Sequence, residues 1–238
     1  LLASWTFAED RTPVVVELFT SEGCSSCPPA DAILEHLDHA QPIAGVEIIA
    51  LEQHVDYWNQ LGWFDPFSSP ALSARQQAYA SAFHSDNIYT PQMVINGRAE
   101  FVGNDLARAR QEILRAALAP RAVVKLEART GSILSLRVED LPATRHRVGL
   151  ADVLLAVTET GLADDVKRGE NAGQRLRHAA IVRSLTTVGS LDPRRSASFS
   201  TDVKLNLARS WKRENLRAVL LVEERRSRRI LGAASAGL

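Results

Sequence analysis

Cys24 and Cys27 are the only two thiols in the 238 residues, and they lie three positions apart. Before them runs Val14–Phe19, β-branched and aromatic, the composition of a buried strand; after them Ala32–Leu37 places apolar residues at helical spacing. A cysteine at a strand-to-helix junction meets unpaired amides and the positive end of a helix dipole, and both favour its thiolate. Lowering the thiol pKa from about 8.5 to about 7 raises the thiolate share at neutral pH from roughly 3% to roughly half. Cys24 is then the nucleophile. Cys27, one turn further in, is placed to resolve a mixed disulfide formed at Cys24, and Pro28 and Pro29 suit the first turn of a helix. Two other uses fit the same spacing. A structural disulfide closing so short a loop would contribute only about 2 kcal/mol. A metal is the third use: zinc would want four ligands, and no second Cys-x-x-Cys or Cys/His cluster supplies them. Soft Cu(I) would need only the two thiolates and an imidazole, for which His54 is the candidate.

The elements that must position this pair follow in order. Gly45–Leu51 is a second buried strand, and it leads into an aromatic-rich loop, Glu52–Phe67, that holds two of the four tryptophans. That loop is either a satellite core or one wall of a groove at the cysteines, with Trp58 in the wall. His54 and Asp56 are candidates for an acid–base pair, although a hydrogen-bonded structural role for His54 is the plainer reading. Ser69 and Pro70 open a helix as N-cap and first residue. Asn96-Gly97 between two apolar segments marks a hairpin. Asn104 is expected to cap a helix over residues 105–118, which Pro120 ends.

From Ala122 onward the pattern changes to short strands, expected at 123–127, 133–138, 152–157, 180–185, 198–205, 218–223 and 230–233. Seven strands with turn signals between them suggest an antiparallel sandwich of immunoglobulin-like size. The expected division is therefore residues 1–120, carrying the cysteines, and 121–238, all β. Gly169–His178 is a polar, glycine-containing connection whose plainer reading is a surface hairpin, and Arg225–Arg229 is a solvated turn on its default reading.

The 28 basic and 28 acidic residues cancel, which argues against nucleic acid or an anionic membrane surface as a required partner. No apolar run approaches the length of a membrane-spanning helix. The chain opens Leu1-Leu2-Ala3-Ser4-Trp5, and its only methionine is Met93. A removed secretory leader, which would suit an oxidisable cysteine pair, and simple trimming both account for this.

The order strand, Cys-x-x-Cys helix, strand, helix, proline, hairpin, helix, with Thr90-Pro91 opening the hairpin, resembles the thioredoxin fold. That resemblance implies a cis Pro91 beside the cysteines that presents backbone to a substrate, with Thr90 next to it. It also implies a buried proton-moving acid in the first strand, where Glu17 stands. More narrowly, Glu17–Asp31, His54–Trp58 with Leu61-Gly-Trp63, and Tyr89–Gly97 resemble DUF1223, a bacterial family of uncharacterised, thioredoxin-like, often secreted proteins. In that family the Gly-Glu-Asn-x-Gly segment at 169–173 recurs and is a candidate for contact with the redox unit.

These observations lead to a thioredoxin-like unit followed by a β-sandwich, and to thiol–disulfide exchange in the periplasm or outside the cell. Its partners would be protein thiols or disulfides, with no cofactor and no resident metal. A non-catalytic module that holds a protein or Cu(I) is the alternative.

Overall fold

The computed structural model describes residues 11–142, 149–196 and 198–238. The opening residues, including Leu1–Trp5, lie outside the described residues. In chain order the first part runs β1 (Thr12–Thr20), α1 (Pro28–Ala40), β2 (Val46–His54), α2 (Pro70–Ala82), β3 (Gln92–Ile95), β4 (Ala99–Val102) and α3 (Leu106–Ala117). Strands follow: β5 (Val123–Arg129), β6 (Ile133–Glu139), β7 (Ala151–Glu159), β8 (Leu162–Asp165), β9 (Arg175–His178), β10 (Ile181–Leu191), β11 (Phe199–Lys204), β12 (Leu216–Glu224) and β13 (Ile230–Gly237).

β1 is apolar on both faces, so the sheet needs cover on both sides. Val14, Val16 and Leu18 pack with Ala30, Leu34 and Leu37 of α1 and with Ala109, Ile113 and Ala116 of α3. Val15 faces the other way and joins Ile49 and Leu51 of β2 and Leu72 of α2. β1 pairs in parallel with β2, from Thr12 opposite Val46 to Thr20 opposite His54, and antiparallel with β3. Asn96 and Gly97 both take positive φ in the three-residue turn between β3 and β4, where the Arg98 amide donates to the Ile95 carbonyl at 2.9 Å. Ser69 caps α2 as expected, its hydroxyl accepting from the Ala71 amide. The cap of α3 is Asp105, whose carboxylate accepts from the Arg108 amide, one residue past the expected Asn104. Both residue types serve as caps, and local sequence does not separate neighbouring candidates.

All seven expected strands after residue 120 are present, but they do not build a free-standing sandwich. The molecule is mostly β around one mixed eight-stranded sheet in the order β13-β12-β7-β10-β2-β1-β3-β4. β10 joins β2 in parallel where Ile181 lies opposite Glu52, so four of the late strands extend the sheet that β1 begins. β5, β6 and β11 form a separate three-stranded sheet. Leu134, Leu136 and Val138 of that sheet pack on Val153, Leu155, Ala218, Leu220 and Val222 of the large one. The physical reason is the open edge of β2. A strand buried almost throughout cannot end a sheet facing water, so it takes another strand beside it. The sheet thus runs across the expected division at residue 120.

Candidate functional site

The cysteines sit where β1 has ended and α1 begins. Cys27 is the N-cap of α1, and its carbonyl accepts from the amides of Ala30 at 2.8 Å and Asp31 at 3.1 Å. The Cys27 amide in turn donates to the Cys24 carbonyl at 3.2 Å, a turn that brings the two side chains together as a disulfide. Both cysteines are fully buried, whereas Ser25 and Ser26 between them are exposed.

The backbone of their loop is held from far along the chain. The buried Asn171 side-chain amide donates to the carbonyls of Glu22 and Cys24, each at 2.9 Å. Glu170 accepts from the Ser25 amide at 3.0 Å. The Gly-Glu-Asn-x-Gly segment is therefore a strap over the disulfide loop rather than a free surface hairpin.

Trp58, Thr90 and Pro91 are brought to the same place. A methyl group on Gly23 would lie 3.3 Å from Cβ of Trp58, a tight contact that places Trp58 directly against the residue before Cys24. The Trp58 indole donates to the Thr90 hydroxyl at 2.8 Å, and the Thr90-Pro91 peptide is cis. The Gly103 amide donates to the Pro91 carbonyl at 3.0 Å. A Cβ on Gly103 would stand 3.1 Å from Ala30 and 3.4 Å from Pro91, which places the proline beside the first turn of α1.

Glu17 lies elsewhere. Its alternation with Val16 and Leu18 puts it on the sheet face away from α1. There Arg75 donates to it from Nε at 2.6 Å and Nη2 at 3.0 Å, and Gln53 and Tyr79 donate as well. The acid that does lie by the cysteines is Asp31, one helical turn after Cys27 and therefore on the same side of α1. It is buried and accepts from the Thr20 hydroxyl at 2.6 Å. Burial, with the Glu52 charge adding to it, pushes the Asp31 carboxyl up to about 7.

Behind Asp31 lies a buried polar cluster of Glu22, Glu52, His54, Asp65 and His178. His178 places Nδ1 2.7 Å from Glu52 Oε1 and Nε2 3.1 Å from Glu22 Oε1. His54 places Nδ1 2.7 Å from Asp65 Oδ2 and Nε2 3.3 Å from Glu52 Oε1. The second of these His54 approaches lacks hydrogen-bond geometry. Burial opposes charge on both rings, but the carboxylates prevail: Asp65 holds His54 up at about 9, and Glu52 with Glu22 holds His178 up at about 11. Burial would also raise Glu52, yet His178 and His54 bring it down to about 2. The indole of Trp63 closes one side, donating to Glu22 at 2.8 Å.

His54 is fully buried and held through Nδ1 by Asp65. Asp56 is not its partner: β2 ends at His54, and Asp56 instead accepts from the Ser73 hydroxyl. The residues two apart that share a strand face are Glu52 and His54. That pairing was available from strand periodicity alone. Asp31 stood inside the cysteine stretch with no signal of burial, and nothing local linked His178 or Asn171 to it.

No curated protein matches the chain. Among solved structures it resembles protein AGR_C_4864 from Agrobacterium tumefaciens, with 26% identity and a TM-score of 0.75 over 96% of this chain and 95% of that one. It also resembles HBP35 of Porphyromonas gingivalis, at 16% identity and a TM-score of 0.66, over 96% of this chain and 76% of that one, a likeness of fold alone. Among the described residues, no helix is long and apolar enough to cross a membrane. The family model for DUF1223, described as a protein of unknown function, matches residues 15–223, and the chain belongs to that family.

Proposed function

We propose that this chain exchanges thiols and disulfides with protein partners in the cell envelope, using a thioredoxin-like arrangement within residues 1–120. The observation that carries the reading is a disulfide at the N-terminus of α1 with Pro91 beside that helix's first turn. In the reduced form the Cys24 thiolate attacks one sulfur of a partner disulfide. The partner's S–S bond breaks, and its second sulfur leaves as a thiolate that takes up a proton. Cys27 then loses its proton and attacks Cys24, which releases the partner's first sulfur and leaves the Cys24–Cys27 disulfide. Two electrons pass to the partner; the reverse sequence oxidises a dithiol.

Asp31, held near neutrality, is suited to take the Cys27 proton. Thr90 and Trp58 line the approach, and the exposed Leu61 and Phe64 of the same aromatic loop offer apolar surface to a polypeptide. An oxidised cysteine pair suits the periplasm or the cell exterior, where such bonds persist.

The burial of both sulfurs favours one second reading, a binding module whose disulfide only fixes the strap and loop. One experiment separates the two. Cys27→Ser, expressed in its own compartment, is expected to accumulate mixed disulfides that a reductant abolishes, whereas Cys24→Ser accumulates none. Equal behaviour of the two variants would leave the binding module standing.

A further inference from the structure

We propose that Glu52, His54 and His178 form a buried binding site for one divalent metal ion of the zinc type. One ligand atom from each of the three lies within 4.8 Å of the others, and all three residues are buried. His54 Nε2 is fully buried and without a hydrogen-bond partner, and it is aimed at Glu52 Oε1 from 3.3 Å. Two ligand atoms bound at about 2.0–2.1 Å in a tetrahedral site stand about 3.3 Å apart, so this pair already has the spacing an ion between them would set. His178 Nδ1 approaches the same Glu52 oxygen at 2.7 Å and has to open by about 0.6 Å to reach that spacing. Two imidazoles and one carboxylate are a recurrent zinc ligand set, leaving a fourth position for water.

The surroundings supply what a metal site requires beyond its ligands. Each imidazole has its other nitrogen on a second carboxylate, His54 Nδ1 on Asp65 at 2.7 Å and His178 Nε2 on Glu22 at 3.1 Å. That is the arrangement that fixes ring orientation in metal-bound histidines. The remaining Glu52 oxygen accepts from the Ala179 amide at 2.8 Å, so the carboxylate is also held. Nitrogen and oxygen donors in this ratio favour zinc over magnesium or calcium, which take oxygen alone. The cysteines are bonded to each other and take no part as ligands.

The test uses the full chain with its disulfide intact, which removes thiols as ligands. Protein unfolded with a chelator is refolded with zinc, cobalt(II), magnesium or calcium, then dialysed and its metal content measured. We expect one zinc per chain, a higher melting temperature with zinc, and no such shift with magnesium or calcium. His54→Gln and His178→Gln should lose the bound zinc, and Asp65→Asn should weaken it about 10- to 100-fold. Cobalt(II) gives a readout that needs no variant: intense visible d–d bands of a tetrahedral site, without sulfur-to-metal charge transfer. No zinc in the wild type, no cobalt spectrum, equal binding of calcium, or full zinc retention by folded His54→Gln and His178→Gln would each overturn the proposal.

Discussion

The side-chain amide of Asn171 donates to the backbone carbonyl of Cys24 at 2.9 Å, across 147 positions of the chain. The same amide holds the Glu22 carbonyl, and Glu170 holds the Ser25 amide, so the cysteine loop is clasped from the late half of the protein. Both sulfurs are buried, so a thiol that reaches the disulfide needs this loop and the strap that clasps it to move.

Asn171→Ala should therefore have two effects with one cause. It leaves the buried Glu22 carbonyl without its donor and the Cys24 carbonyl with only the Cys27 amide, a loss of about 1–3 kcal/mol in stability, and it loosens the clasp on the cysteine loop. Urea unfolding reads the first, and the rate of disulfide reduction by dithiothreitol at fixed pH reads the second. An unchanged reduction rate would mean that the strap does not limit access.

Asp31 makes stability depend on pH in an unusual direction. Its carboxyl sits at about 7 in the folded protein against an ordinary 3.8, so between those values the folded state holds more protons than the unfolded one. Stability should fall as pH rises from about 4 to about 7 and level off above, the full cost being of order 4 kcal/mol at most. Asp31→Asn keeps an oxygen for the Thr20 hydroxyl and removes the charge. In metal-free protein it should abolish that decline and be the more stable form at about pH 8, as chemical denaturation across the range will show.

Glu17 and Asp31 are the two buried acids offered for proton transfer at the cysteines, and they are separable. Glu17→Gln disturbs the buried pair with Arg75 and should destabilise the fold while leaving the pH profile of exchange in place. Asp31→Asn should flatten that profile between about pH 6 and 8. The opposite result would return the role to Glu17.

Arg75 bridges the two halves, reaching Glu17 on β1 and, at 2.8 Å, Glu223 on β12. Arg75→Met removes the cation the two carboxylates share, leaving Glu17 with Gln53 and Tyr79 and Glu223 with Arg228, and about 3–5 kcal/mol of stability should be lost. A loss under about 1 kcal/mol would mean that water reaches the pair.

The division at residue 120 can be tested with a chain ending there. Such a fragment leaves Val15, Ile49, Leu51 and Leu72 without Leu154, Ala156, Val182, Val219 and Leu221, which pack against them. We expect it to aggregate or to bind a hydrophobic dye strongly. Cooperative unfolding of a soluble fragment would instead establish residues up to 120 as a unit that stands alone.

By itself the sequence determined every element whose signal is local. The β-branched runs became strands, Ser69-Pro70 opened a helix, Asn96-Gly97 made the turn, and the cysteines fell at the junction their neighbours predicted. What the tertiary structure alone decided was pairing at a distance. The apolar residues within 180–185 mark a strand, but not that its neighbour is β2, because hydrogen-bonded edges carry no residue code. The same limit hid the buried cluster. His178 lies 126 positions from Glu52 along the chain, and a charged residue announces its burial only through the partners that folding brings to it.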